Sequence, residues 1–166
     1  MNRFTIDADF ISLAGLDDNV DLLLDVLMVF TQDNEFRLCL DTSDIAFQKY
    51  LNVSINSEAI RFWFNCLFQN KQSRKYIDYI TIKKRTYSDD KQIYIEICNN
   101  SCSAMKRIIV ANKQSYSELM ELLSNSEIQL LDGYQAKAIL NVRNIQISMG
   151  ANSPNINGNN NTVNKS

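Results

Sequence analysis

The stretch Arg3-Phe4-Thr5-Ile6-Asp7-Ala8-Asp9-Phe10-Ile11 decides the fold. An apolar run with β-branched members stops at two acids spaced i and i+2, and apolar residues return at once. The run reads as the first strand of the domain. In an open parallel sheet, an acid that ends a strand arrives at the carboxyl edge, where such folds place their sites. On an extended chain Asp7 and Asp9 have the same parity, so both face one crevice. The plainer alternative is a strand that ends in a solvated Asp turn. The spacing alone does not separate the two.

Downstream, Asp17 and Asp18 cap a helix expected from Asn19 to Thr31, apolar nearly all round and so buried against a sheet. Phe36-Arg37-Leu38-Cys39-Leu40 is a second strand, and it too ends in an acid, Asp41. Thr42, Ser43 and Asp44 are candidate caps for a helix through Tyr50 and Leu51. A further helix spans 57–69, and its aromatic residues at helical spacing belong to the core. Asp89 and Asp90 open a helix through Cys102, where acids suit the helix dipole. Lys106 to Ala111 is a strand. Ser115 or Ser117 caps a helix through Leu123, Glu127 to Leu131 is a strand, and a last helix runs from Tyr134 to Leu140. This alternation argues for an α/β domain, a three-layer sandwich with a mainly parallel central sheet, over residues 1–143. Residues 144–166 form a short β-rich tail.

Composition narrows the chemistry. The chain has 166 residues, 45% of them apolar, and a net charge of −2, so polyanion binding needs a local patch. The stretch 70–90 supplies one: Arg74, Lys75, Lys83, Lys84 and Arg85 lie among Tyr76, Tyr79 and Tyr87. It reads either as a solvated face or as a phosphate-contacting lip with tyrosines able to stack on bases. Residues 76–82 read as a strand or an insertion.

There is no histidine, which removes imidazole general bases and the Ser-His and Cys-His nucleophile pairs. The four cysteines lie inside expected strands and helices, not in CxxC spacing, so no zinc site is expected. They read as buried free thiols of a reducing, cytoplasmic compartment. The amino terminus lacks the apolar core of a secretory signal. No apolar run approaches the ~18 residues of a membrane span. Metal-assisted carboxylate chemistry is the main catalytic option left.

Several segments together resemble the PIN-like superfamily of metal-dependent nucleases. Phe4-Thr5-Ile6-Asp7-Ala8-Asp9-Phe10-Ile11 is similar to the opening strand of those domains, which ends in an Asp, then a small and a polar residue. Asp90 through Ile93, Ile95, Ile97 and Cys98 resembles their acid at the head of a core helix. Arg107 to Asn112 resembles the strand that follows, and residues 127–140 the usual ending. The resemblance covers residues 3–141. It implies Mg²⁺ or Mn²⁺ held by Asp7 with Asp90 or Asp89, supported by Asp9 and Asp41. The metal would activate water at a phosphodiester. On that reading Asp7 is a solvated ligand, and Asp7→Asn removes activity with little loss of stability.

The sequence also departs from the family. Gln48 and Lys49 stand where a Glu often precedes a Tyr, and Asn112, Lys113 and Ser115 stand where acids often do. Asp7 and Asp90 alone supply too little oxygen charge for two hard cations. A lysine among the ligands repels metal or forms an ion pair in its place.

Residues 151–166 contain seven asparagines, with Ile145, Ile147, Ile156 and Val163 as spaced apolar positions. This composition reads as a polar linker or as a rung-like oligomerisation element. The tail resembles those of some bacterial conflict and effector proteins. Two functions follow as expectations: a PIN-like ribonuclease or other nuclease effector in a bacterial defence or toxin system, or a degenerate PIN-like scaffold that binds nucleic acid or a defence-system protein. Either is expected to be a homo-oligomer through its tail, without a membrane partner.

Overall fold

The computed structural model of the chain describes residues 2–32, 35–69, 73–83 and 86–141, apart from the side chains of Ser73 and Arg74. Strands β1 (Asn2–Ile6), β2 (Phe36–Asp41), β3 (Ile77–Ile80), β4 (Lys106–Ile109) and β5 (Ile128–Leu131) form one sheet in the order β3-β2-β1-β4-β5. Every neighbouring pair is parallel. Helices α1 (Ala8–Ala14), α2 (Val20–Gln32), α3 (Ile45–Ser54), α4 (Glu58–Phe68), α5 (Gln92–Asn100) and α6 (Met120–Asn125) lie in the crossovers, and α7 (Gly133–Leu140) follows β5. Short 3-10 helices cover Ser73–Tyr76 and Lys113–Leu119.

Burial on both faces explains the composition of the central strands. Phe36 and the run Leu38 to Asp41 are buried along β2, with no polar-out alternation, as expected when helices cover both sides. On one face, Phe4 of β1 meets Phe30 of α2 edge-on, with ring centroids 5.8 Å apart. Behind α2 lies α4, which buries Ile60, Trp63, Phe64 and Leu67 on one helical stripe and leaves Phe62 37% exposed. The Trp63 indole N–H donates to the Leu27 carbonyl at 2.9 Å and fixes α4 against α2. Gly15 permits α1 to end close to α4, because a Cβ there would lie 2.6 Å from Ile60 Cγ1. On the opposite face, α5 buries Ile93, Ile97 and Cys98, and the Cys98 thiol donates to the Arg107 carbonyl of β4 at 3.7 Å.

The first strand stops at Ile6, earlier than the sequence suggests. Asp7 keeps extended backbone angles, its Oδ1 accepts from Asp9 N at 3.0 Å, and the chain enters α1 directly. Phe10, Ile11 and Ala14 then bury at helical, not alternating, spacing. Asp7 and Asp9 therefore do not share a strand face; Asp9 sits in the first turn of a helix.

The undecided stretch 76–82 contains β3, the edge strand. Asp78 on it accepts from Arg3 Nε at 2.6 Å and from Arg37 at 2.7 Å, which ties three strands together at the amino edge of the sheet. Burial would raise the Asp78 carboxyl, but the two guanidinium groups outweigh it and hold it below the usual carboxylate range.

Caps differ in detail as well. Asp41, rather than Thr42, Ser43 or Asp44, caps α3: its two oxygens accept from Ile45 N at 2.9 Å and Ala46 N at 2.8 Å. Asn112, rather than a serine, caps the Lys113–Leu119 turn helix. All four cysteines are free; Cys39 and Cys98 are buried, Cys66 is half-buried and Cys102 is exposed. Burial pushes the Cys39 and Cys98 thiols up to about 12, which leaves them as core fillers rather than nucleophiles. Among the described residues no helix is long and apolar enough to cross a membrane. The tail positions Ile145, Ile147, Ile156 and Val163 lie outside the described residues.

Candidate functional site at the carboxyl edge

The order of the sheet places a switch point between β1 and β4, where the crossovers to β2 and β5 leave in opposite directions; open parallel sheets bind ligands at the carboxyl edge of such a point. Asp7 is the first residue past β1, and its N–H donates to the Ile109 carbonyl at the end of β4, at 2.9 Å. Its side chain is 2% exposed.

What converges on it is a lysine. Lys91, at the start of α5, donates from Nζ to Asp7 Oδ2 at 2.7 Å and to Asp9 Oδ2 at 2.5 Å. The Tyr116 hydroxyl donates to the same Asp7 oxygen at 3.0 Å, and the Lys91 ammonium lies 5.8 Å from the centroid of its ring. Asp7 thus uses one oxygen to cap α1 and the other to bind an ammonium and a phenol.

Two more tyrosines complete the wall. Tyr50 of α3 donates to the Ile6 carbonyl at 2.5 Å. The Ala8 N–H donates to the hydroxyl of Tyr94, from α5, at 3.0 Å. Three buried phenols from three elements therefore clamp the β1–α1 junction. Burial first, and the Asp7 carboxylate second, push the Tyr94 and Tyr116 phenols well up; burial and then Tyr94 and Asp7 do the same for Tyr50. All three stay neutral at ordinary pH.

Lys91 sits there against its local preference. A cation at a helix N-terminus faces the positive end of the dipole, a cost of about 0.3–1 kcal/mol. Burial alone would lower the Lys91 ammonium. The hydrogen bonds and charges of Asp7 and Asp9 together outweigh burial and raise it above the usual lysine value.

The other acids read from the sequence have separate partners. Asp41 is fully buried and spends both oxygens on α3. Asp89 accepts from Lys91 N at 2.7 Å. Asp90, whose side chain is 90% exposed, pairs with Lys49 at 3.0 Å. Asp132 forms a capping box with Gln135 on α7. Strand-end acids here serve mostly as helix caps. Asp7 is buried and multiply bonded, which corrects the expectation of a solvated side chain.

The basic stretch divides between the two edges of the sheet. Lys75, with Nζ 4.9 Å from the centroid of the Tyr76 ring, and Arg74 precede β3. Lys83 follows β3 and is exposed at the carboxyl edge. Lys84 and Arg85 lie outside the described residues. A cleft of about 410 Å³ opens nearby, lined by Thr42, Ser43, Ile45, Thr81 and Ile82 past the ends of β2 and β3. Lys113, past β4, reaches the Gln135 side-chain oxygen at 2.5 Å.

Among the described residues no group of three or more Asp, Glu, His or Cys side chains is arranged to hold a metal ion. Asp7 and Asp9 are too few for a two-ion centre, and an ammonium already neutralises part of their charge. The residues present do not fit the metal set that the PIN-like resemblance implies. Lys91, Tyr50, Tyr94 and Tyr116 are the site residues that sequence reasoning missed. Comparison of the chain with protein-family models, curated proteins and solved structures gives no match.

Proposed function

We propose that this chain is a PIN-like module without nuclease chemistry, acting as a binding or regulatory component whose contact surface is the carboxyl edge of the sheet. One observation carries the reading: Asp7 and Asp9, the acids that come together at the switch point, converge on the Lys91 ammonium. In-line attack on a phosphodiester needs an activated water and stabilisation of developing negative charge, usually by one or two divalent ions. The donor set here supports neither.

The charges along the carboxyl edge favour a protein partner over nucleic acid. Among the described residues this edge mixes exposed acids, Asp9 and Asp90, with exposed Lys83 and Lys113. A nucleic-acid groove needs one sign of charge in a continuous track. A polar rim of both signs beside an uncharged, hydroxyl-lined cleft suits a protein surface, where such charges set register and orientation. The bacterial defence setting suggested by the tail remains part of this proposal.

The test is a cleavage assay of the full chain on single-stranded and structured RNA and DNA, with Mg²⁺ or Mn²⁺, beside Asp7→Asn. The expected result is no cleavage above that of the variant. Cleavage by the unaltered chain that disappears in Asp7→Asn overturns the reading and restores the nuclease.

A further inference from the structure

We infer that the amino edge of the sheet is a second contact surface, on which Arg37, Arg3 and Lys106 stand abreast on β2, β1 and β4 and take an acidic segment of a partner protein. The inference goes beyond the carboxyl-edge reading and stands apart from it, because the two surfaces share no residue.

The row follows from the register of the strands. Arg3 lies opposite Arg37 in the β1–β2 pair. Counting back two residues from the Thr5–Ile108 pair of β1 and β4 brings Lys106 beside Arg3 on the same face. That face is the one covered by α5, since Lys106 Nζ donates to the Asn99 side-chain oxygen at 3.3 Å. Neighbouring strands lie roughly 4.8 Å apart, so the three cations span about 10 Å.

Like charges on adjacent strands repel, so the row needs counter-charge. Asp78 supplies part of it. Each of its oxygens takes one N–H, from Arg3 at 2.6 Å and from Arg37 at 2.7 Å, which sets the two guanidinium groups side by side. Their side chains stay 30% and 28% exposed. A guanidinium carries five N–H donors, so one bond exhausts neither. Lys106 meets an amide rather than a carboxylate. Lys75, exposed in the turn helix that enters β3, adds a fourth cation at this edge.

The borders of the row select the partner. Glu35 precedes β2 and Glu127 precedes β5 at the same edge, and both are exposed. Among the described residues the cations therefore form a short row rather than the continuous track that a nucleic-acid backbone needs. An extended polypeptide places the side chains of residues i and i+2 on one side, about 6.8 Å apart. Two carboxylates at that spacing fit within the row, where arginine forks suit them.

The experiment uses the full chain and a dye-labelled peptide of alternating Glu and Ser, read by fluorescence anisotropy. The probes beside it are the same peptide with Gln for Glu and a labelled single-stranded RNA. The Glu peptide is expected to bind at least about tenfold more tightly than the Gln peptide, and to weaken as salt screens the contact. Lys106→Gln weakens it up to about fivefold, the upper range for one exposed charge. Arg37→Gln weakens it more, because a forked, charge-assisted contact is lost. Arg61→Gln, on the exposed side of α4, leaves binding unchanged. Lys106→Gln keeps the test decisive if Arg37→Gln fails to fold, since Lys106 has no part in the Asp78 bonds. Equal binding of the Glu and Gln peptides overturns the inference, as does a Glu peptide unaffected by Lys106→Gln. RNA bound more tightly than the Glu peptide overturns the choice of partner. None of these results touches the carboxyl edge.

Discussion

Asp7→Ala lowers the unfolding free energy by about 3–5 kcal/mol, the usual cost of removing one member of a buried ion pair. The substitution leaves the Lys91 ammonium, whose side chain is 14% exposed, with only the partly solvated Asp9 as counter-charge. It also leaves the Tyr116 hydroxyl without the Asp7 acceptor and removes the α1 cap. Adding Lys91→Met to Asp7→Ala recovers most of the loss, because the orphaned charge goes with it. What remains is close to the cost of the missing cap, about 1 kcal/mol. Urea denaturation of the two single variants and the double variant closes the cycle. A coupling energy of at least about 2 kcal/mol is expected, because Lys91→Met alone also leaves the buried Asp7 carboxylate without its cation. Additive single effects would mean that the pair is not formed.

Trp63→Ala is the other large effect, about 3–5 kcal/mol, as for deletion of a fully buried aromatic side chain. Trp63 is 0% exposed, lies 6.1 Å from the Tyr50 ring centroid and fixes α4 to α2 through the Leu27 carbonyl. Tyr50 in turn holds the end of β1, so this layer of the core supports the Asp7–Lys91 pair from behind. The urea midpoint falls while the slope stays constant if only stability changes. Phe62→Ala, one residue earlier on the exposed side of α4, costs less than about 1 kcal/mol, since its ring is already partly solvated. Equal losses at the two positions would contradict the assignment of the buried face.

The order of elements was legible because each strand has a compact apolar run and each long helix a clear stripe. Phe36 to Asp41 and Ile60 to Phe68 behave as their patterns suggest. The parallel sheet follows from the alternation of these runs, and its carboxyl edge from the acids that end them. The β1–α1 junction was not legible: Asp7-Ala8-Asp9 satisfies both a strand of period 2 and a helix cap with an acid in the first turn. The cap wins because Phe10, Ile11 and Ala14 find burial at helical spacing. Asp41 and Asp132 illustrate the same ambiguity, since an acid at a strand end is also the best cap for the next helix.

Lys91 carried no local signal at all. In sequence it is a cation after two acids at the head of a helix, a position where the dipole disfavours it. Only the packing of α5 beside the end of β1 gives it a task. Tyr50, Tyr94 and Tyr116 were hidden for a related reason: a buried tyrosine in an apolar helix looks like core until the partner of its hydroxyl is known.

The pairing of the Lys91 ammonium with Asp7 is tested most directly by nuclear magnetic resonance of the lysine side chains, with Lys91→Gln to assign the signal. The account predicts a resolved Lys91 ammonium whose protons exchange slowly with water near neutral pH. Its titration lies above the usual lysine value of about 10.4, and Asp7→Asn moves it down. The sign follows from a pair that favours the charged lysine: its contribution to stability is complete below the unfolded-state value and is lost as pH rises through the folded one. A Lys91 signal that exchanges and titrates like the exposed lysines, unchanged by Asp7→Asn, would contradict the account.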